Sequence, residues 1–166
     1  HVAYDLVAAA HMDAAGVETN LRAAIGEAPI DVVVQEEQHR RKALLIADMD
    51  STMIGQECID ELAAEAGVKD RVAEITRRAM NGEIAFEPAL RERVGLLENL
   101  PSSVIADVLK TRITLTPGGR KLVGTMRANG AHTALVSGGF TAFTAPVAAM
   151  IGFDEHQANI LIEQDG

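Results

Sequence analysis

The chain has 166 residues, 48% of them hydrophobic, and a formal net charge of -9, a composition typical of one globular domain with a small appendage. The acidic balance and the lack of a basic stripe argue against a nucleic-acid partner, and no apolar run approaches the roughly 20 residues that a membrane span needs. The single cysteine, Cys58, excludes an intrachain disulfide and fits a reducing cytoplasm.

The N-terminal 42 residues predict a short helix, a strand and a linker. Five apolar residues lie at helical spacing: Leu6, Ala9, Ala10, Ala14 and Val17. The β-branched run Ile30–Val34 follows Pro29 and predicts a strand, and the polar, basic run Gln35–Lys42 predicts a linker. This segment is short for an independent domain.

The rest of the chain predicts a parallel α/β core with an inserted helical cap. Short apolar runs predict core strands at Ala43–Ala47 and His132–Val136, and a third strand at Asn159–Glu163. Helices are predicted at 57–66, 70–80, 86–97, 101–109, 119–129 and 140–150. The predicted core therefore comprises residues 43–54 and 115–166, and the helical cap comprises residues 55–114.

The first core strand ends in two aspartates, Asp48 and Asp50, within Asp48-Met49-Asp50-Ser51-Thr52. Ligands of open α/β sheets bind beyond the carboxyl ends of such strands. Two carboxylates that share a site repel each other, and a divalent metal is the simplest compensation. Asp48 then suits a nucleophile or metal ligand, and Asp50 an acid/base. A lone Asp-x-Asp is also common in turns, but its place after a buried strand favours function.

Ser137-Gly138-Gly139 follows the second core strand and precedes a helix. A small hydroxyl and exposed N–H groups at a helix start hold phosphate well, although the same residues also form ordinary caps. Pairing with the aspartates favours phosphate binding.

Three cap residues, Glu57, Phe86 and Arg93, are by pattern alone a solvated acid, a core aromatic and a surface cation. An Arg can nevertheless clamp a carboxylate, and a Glu can hold an ammonium. The five histidines form no metal-ligand pair, and Cys58 is interpreted as a packing residue.

Together these motifs resemble the phosphoserine phosphatase family of the haloacid dehalogenase superfamily. The resemblance covers residues 43–166 and implies a Rossmann-like core with a helical cap. It implies that Asp48 is the nucleophile, that Asp50 is the acid/base, and that both residues hold one Mg²⁺. Ser137 and the Gly138 amide would hold phosphate.

In the cap, the resemblance implies that Glu57 meets the substrate ammonium, that Arg93 meets its carboxylate and that Phe86 closes the site. The implied reaction is hydrolysis of O-phospho-L-serine through an aspartyl phosphate, the last step of serine biosynthesis, in the cytoplasm. Residues 1–42 would be the remnant of a regulatory domain and linker, and a homodimer is a further expectation.

The family pattern also has a later Lys and a Gly-Asp-Gly-x-x-Asp segment, which have no counterpart before Gly166. Gln164-Asp165-Gly166 predicts a hairpin turn, so the sequence indicates a fragment of a longer chain. Two alternatives stay open: a phosphatase or phosphotransferase acting on another small phosphorylated metabolite, and an inactive truncated fragment that binds a partner.

Overall fold

The computed structural model describes residues 4–7, 13–38 and 40–166, which divide into two compact units, residues 1–42 and 43–166. The boundary coincides with the end of the predicted linker. Ala9, Ala10, His1, His11 and His39, which figured in the sequence predictions, lie outside the described residues.

The first unit contains helix α1 (Ala14–Ile25), so the predicted helix begins later than Leu6, which is non-helical and exposed. The helix begins at Asp13, whose side chain accepts a hydrogen bond from the Gly16 N–H at 2.9 Å and so caps it. The predicted strand Ile30–Val34 is wrong, because these residues form no strand with any described residue and Val33 is 79% exposed. A β-branched run forms a stable strand only when its backbone groups find a partner.

The second unit is built on a three-stranded parallel sheet in the order β1 (Leu44–Ala47), β2 (His132–Phe140), β3 (Glu155–Asn159). Leu44 pairs with His132, and Ala134 pairs with Glu155. This architecture confirms the predicted α/β class.

Two strand boundaries differ from the sequence prediction. Strand β2 continues beyond Val136 to Phe140, with an irregular register against β3 over that stretch. Strand β3 lies at Glu155–Asn159 rather than at 159–163, and Ile162 is 95% exposed. The Asp154 N–H donates to the Thr133 carbonyl at 3.0 Å, and this bond fixes the start of β3. The strand is therefore the polar segment Glu155–Asn159, at the edge of the described sheet.

Each remaining predicted helix is confirmed, with its ends within a few residues of those predicted. The observed helices are α2 (Cys58–Glu65), α3 (Lys69–Met80), α4 (Phe86–Gly95), α5 (Ser103–Thr111), α6 (Gly119–Ala128) and α7 (Thr141–Ile151). Helices α2 to α5 make up the helical cap. Across the described stretches of the chain, none of these helices has the length and apolar character needed to cross a bilayer.

One apolar core joins the sheet to the cap. Leu135 of β2 and Phe143 of α7 belong to the same buried cluster as Leu62 of α2 and Val72 of α3. Burial of each such side chain stabilises the fold by about 1.5–3 kcal/mol. The shared core therefore holds the cap helices in place above the ends of the strands.

The chain enters and leaves the cap through two segments that are bonded to each other. The Gln56 amide donates to Thr114 Oγ1 at 2.8 Å, and its oxygen accepts from the Thr114 N–H at 2.8 Å. The Gly55 N–H donates to the Thr114 carbonyl at 3.0 Å. These bonds close the base of the cap.

Candidate active site

The loop after β1 directs two carboxylates out of the end of the sheet. Asp48 has extended backbone angles, and its Oδ1 accepts from the Met49 N–H at 2.8 Å. Met49 and Met53 are buried and anchor the loop, which closes through a 3.1 Å hydrogen bond from the Ile54 N–H to the Met49 carbonyl. The two acidic side chains are thus held by a loop that is fixed in the core.

Ser51, at the tip of this loop, has a positive φ of 51°. A non-glycine residue adopts this left-handed region only when its surroundings support it. Here the Ser51 N–H donates to the Gln56 carbonyl at 3.1 Å, and Ser51 Oγ donates to Glu57 Oε1 at 2.6 Å. The strained turn therefore positions Glu57 beside the aspartates.

Asp50 is half-buried, and its Oδ1 accepts from the Cys58 N–H at 3.3 Å. Burial raises the pKa of Asp50 above its ordinary value, the negative charges of Glu57 and Asp48 raise it further, and hydrogen bonds from Cys58 oppose them. Burial also raises the pKa of the Cys58 thiol, so this fully buried side chain stays protonated. Such a thiol is a packing residue rather than a nucleophile.

Ser137, Gly138 and Gly139 lie at the end of β2, beside the aspartates. Ser137 is buried and its Oγ accepts from the Gly139 N–H at 2.9 Å. The Asn159 side-chain amide donates to the carbonyls of Gly138 and Gly139 at 2.8 and 3.3 Å. These contacts fix the peptides of the segment from both sides.

Sequence reasoning missed Asn159. Its only sequence signal is its position at a strand end, because the contact joins residues about twenty positions apart. The Asn159 amide, at the end of β3, thus holds Gly138 and Gly139 at the end of the neighbouring strand β2.

The helical cap places Phe86 and Arg93 above the aspartates and the Ser-Gly-Gly segment. A Cβ on Gly138 would lie 3.3 Å from Phe86 Cζ, so the Phe86 ring contacts Gly138. Arg93 is half-buried, and its Nε donates to the Ala89 carbonyl at 3.3 Å.

These residues line one cavity of about 350 Å³ between the sheet and the cap. The cavity brings together all seven residues singled out from the sequence: Asp48, Asp50, Glu57, Phe86, Arg93, Ser137 and Gly138. The lining residues beyond these seven are Gly139, which belongs to the predicted Ser-Gly-Gly segment, and Ile59, Met80, Leu90 and Phe140. These last four residues are apolar, and nothing in the sequence apart from their spacing distinguishes them from ordinary core residues.

The oxygen donors at the mouth of β1 are chemically suited to Mg²⁺, which binds through one or two carboxylates together with phosphate oxygens and water. Asp48 and Asp50 provide such donors. Over the described ranges, no group of three or more acidic, His or Cys side chains is arranged to hold a metal. His156 lies outside the cavity lining, with its Nδ1 3.0 Å from Thr144 Oγ1.

A parallel sheet with an inserted cap, and two aspartates after the first strand facing a Ser-Gly-Gly segment, define a class of hydrolases. The sequence model of the haloacid dehalogenase-like hydrolases matches residues 45–166. The chain belongs to this family.

Within that family, the chain is similar to proteins named phosphoserine phosphatase. It is 43% identical over 163 residues to the one from Archaeoglobus fulgidus, covering 97% of this chain and 47% of the relative. It is 43% identical over 167 residues to the one from Streptomyces coelicolor, covering 96% and 40%. The chain spans about half the length of these curated relatives.

The chain is also similar to solved structures of phosphoserine phosphatases. A phospho-aspartyl intermediate analogue of phosphoserine phosphatase superposes with a TM-score of 0.70 at 41% identity, covering 76% of this chain and 60% of that one. A substrate-bound phosphoserine phosphatase complex superposes with a TM-score of 0.70 at 40% identity over the same shares.

Proposed function

We propose that this chain carries the active site of a phosphoserine phosphatase, which hydrolyses O-phospho-L-serine to L-serine and phosphate. The observation that carries the proposal is the shared cavity. It joins the aspartates and the Ser-Gly-Gly segment, suited to phosphate, to Glu57 and Arg93, suited to an ammonium and a carboxylate. The similar proteins named phosphoserine phosphatase support the same substrate.

Asp48 is the proposed nucleophile. Its carboxylate oxygen attacks phosphorus, the bond from phosphorus to the serine oxygen breaks, and an aspartyl phosphate forms. Covalent catalysis divides the hydrolysis into two easier steps. The solved phospho-aspartyl intermediate analogue of a similar protein supports this route.

Asp50 is the proposed acid/base. It gives a proton to the departing serine oxygen, and then takes one from the water that attacks the aspartyl phosphate. Asp50 Oδ2 faces Gly139, where a Cβ would lie only 3.1 Å away, so the carboxyl group borders the segment that is proposed to hold phosphate.

Ser137 and the Gly138 N–H are the proposed phosphate ligands, because hydroxyl and amide donors at a strand end suit phosphate oxygens. Glu57 would accept from the substrate ammonium, and Arg93 would donate to its carboxylate. Phe86 would exclude water by covering Gly138.

Mg²⁺ is the proposed cofactor. The Asp48 carboxylate and the Asp50 backbone carbonyl would hold it, and when bound it would offset the negative charge of the aspartates and the phosphate. The proposal places the enzyme in the cytoplasm at the last step of serine biosynthesis, acting as a homodimer. The single cysteine fits that compartment.

The test is phosphate release from O-phospho-L-serine, with and without Mg²⁺, on a sample of recorded intact mass. Asp48→Asn removes the nucleophile and should abolish turnover. Asp107→Asn makes the same chemical change on an exposed residue of α5 and should leave turnover intact. Full turnover by Asp48→Asn would refute the mechanism. If another phosphate ester in a panel is hydrolysed faster than O-phospho-L-serine, that ester is the substrate and the proposed specificity is wrong.

A further inference from the structure

We propose that Thr76 of α3 positions the Arg93 guanidinium and thereby sets the selectivity of the cavity for phosphate esters that carry a carboxylate. The inference rests on the proposed function, in which Arg93 binds the carboxylate of the substrate. Thr76 is not among the residues that line the cavity, so it acts through Arg93.

The contact joins two helices of the cap. Arg93 Nη1 donates to Thr76 Oγ1 at 3.3 Å, and Thr76 Oγ1 donates to the Val72 carbonyl one turn earlier in α3 at 3.0 Å. A hydroxyl has a single hydrogen, which Val72 receives, so Thr76 presents only lone pairs to Arg93. The bond to Val72 also selects the side-chain rotamer of Thr76.

Arg93 is therefore held at two points. Its Nε is bonded to the Ala89 carbonyl of its own helix, and its Nη1 to the hydroxyl of α3. Within the parts of the chain that the structure describes, Nη2 has no protein acceptor. An arginine loses considerable rotamer freedom when it binds a ligand, so a guanidinium that is already oriented binds a planar carboxylate more tightly.

No other cation of the described residues takes the place of Arg93 in the cavity. Arg77 and Arg78 adjoin Thr76 in sequence but form ion pairs with Glu74 and Glu83. Among the described residues that line the cavity, Arg93 is the only cationic side chain. The orientation of this one guanidinium thus decides how well the cavity distinguishes a substrate carboxylate.

The experiment compares the dissociation constants of two ligands by calorimetry without Mg²⁺, so that the proposed reaction does not consume the ligand. O-phospho-L-serine has a phosphate, an ammonium and a carboxylate, whereas O-phosphoethanolamine lacks the carboxylate. Thr76→Val keeps the branched shape and removes the acceptor, and Thr76→Ser keeps the hydroxyl. Thr111→Val is the matched control, because Thr111 Oγ1 makes the same bond one turn back, to the Asp107 carbonyl at 2.7 Å, on α5.

Thr76→Val is expected to weaken binding of O-phospho-L-serine about three- to tenfold, the scale of one ordinary hydrogen bond, and to leave O-phosphoethanolamine unchanged. Thr76→Ser should restore the preference, and Thr111→Val should retain it. If Thr76→Val does not fold, as judged by circular dichroism, Thr76→Ala serves in its place.

A Thr76 variant without the hydroxyl that retains the wild-type ratio of the two dissociation constants would overturn the role of Thr76 alone. So would equal weakening of both ligands, which a general distortion of the cap would produce. Wild-type protein that does not distinguish the two ligands would instead refute the carboxylate clamp of the proposed function, and the role of Thr76 with it.

Discussion

The ring of Phe86 rests on Gly138, joining the first turn of α4 in the cap to the end of β2 in the sheet. A Cβ on Gly138 would lie 3.3 Å from Cζ and 3.5 Å from Cε2 of that ring. Phe86 is 58% exposed, so more than half of its surface faces solvent. Glycine therefore lets the cap approach the segment proposed to bind phosphate.

Gly138→Ala is expected to raise the KM for O-phospho-L-serine while changing the free energy of unfolding by less than about 0.5 kcal/mol. The exposed Phe86 ring can move aside, which preserves the fold but opens the cavity. A double-mutant cycle with Phe86→Ala measures the contact, and the coupling should be about 0.5–3 kcal/mol. Additive effects of the two substitutions on KM would contradict the contact.

Gly139→Ala should damage catalysis more than it damages stability. The added Cβ would lie 3.1 Å from both Asp50 Oδ2 and Ser137 Oγ, so it must displace one of the proposed reacting groups. The displaced group must move by a few tenths of an ångström, and such a shift is expected to lower kcat on the order of tenfold. The measurement is kcat beside the midpoint of urea unfolding.

Gly124→Ala is the matched control for that variant. Gly124 lies inside α6, and a Cβ there would meet nothing within 4 Å. Alanine in a helix interior should raise the free energy of unfolding by about 0.5–1 kcal/mol and leave kcat unchanged. If kcat of Gly139→Ala is unaltered, the site tolerates a methyl group beside Asp50 and Ser137, and the prediction is wrong.

Asn159→Ala should lower kcat about three- to tenfold, because the carbonyls of Gly138 and Gly139 lose the amide that fixes them. Asn159→Asp should be worse, because a carboxylate oxygen would face those carbonyls. Asn129→Ala removes a comparable 2.8 Å bond, to the Thr125 carbonyl at the end of α6, and should leave kcat intact. Equal loss of kcat in the Asn129 and Asn159 variants would argue for general destabilisation.

Asp154→Asn should destabilise the protein at neutral pH and not at low pH. The Thr133 hydroxyl and N–H donate to Asp154 at 2.9 Å each, and these bonds, with the nearby Arg127, hold the pKa of Asp154 below its ordinary value of 3.8. A carboxyl group whose pKa is lowered by folding stabilises the fold above its unfolded pKa, and that stability is lost as the pH falls through the folded pKa.

The measurement for Asp154 is the urea midpoint of wild type and Asp154→Asn from neutral pH down to about pH 3. Wild type should be the more stable protein at neutral pH, and the difference should shrink once the pH falls below the ordinary pKa of an aspartate. A difference that stays constant with pH would show that the ionised form of Asp154 contributes nothing to stability.

The sequence predicted those parts of the fold that local chemistry controls. The apolar run before Asp48 and the turn residues between the cap helices identify their elements, because burial, glycine and proline act over a few residues. Strand β3 was misplaced because Glu155–Asn159 is polar, and Ile30–Val34 was misassigned because no strand among the described residues pairs with it. Both errors concern pairing, which depends on distant residues.

The same division holds for the site. The aspartates and the Ser-Gly-Gly segment are contiguous motifs, so their position could be predicted from the sequence. Asn159 and Thr76 could not, because each is defined by a hydrogen bond to a residue 17 or more positions away. Asn and Thr are ordinary residues until the partner is known.

The bonds between Gln56 and Thr114 join the two ends of the cap segment to each other, next to the sheet. The segment that follows β1 and the segment that leads toward β2 are thus held together where the chain enters and leaves the cap. Changes confined to the exposed faces of the cap helices are therefore expected to leave the strand register undisturbed. We accordingly expect substitutions on those faces to alter which ester the cavity prefers while the residues proposed to hold phosphate stay in place.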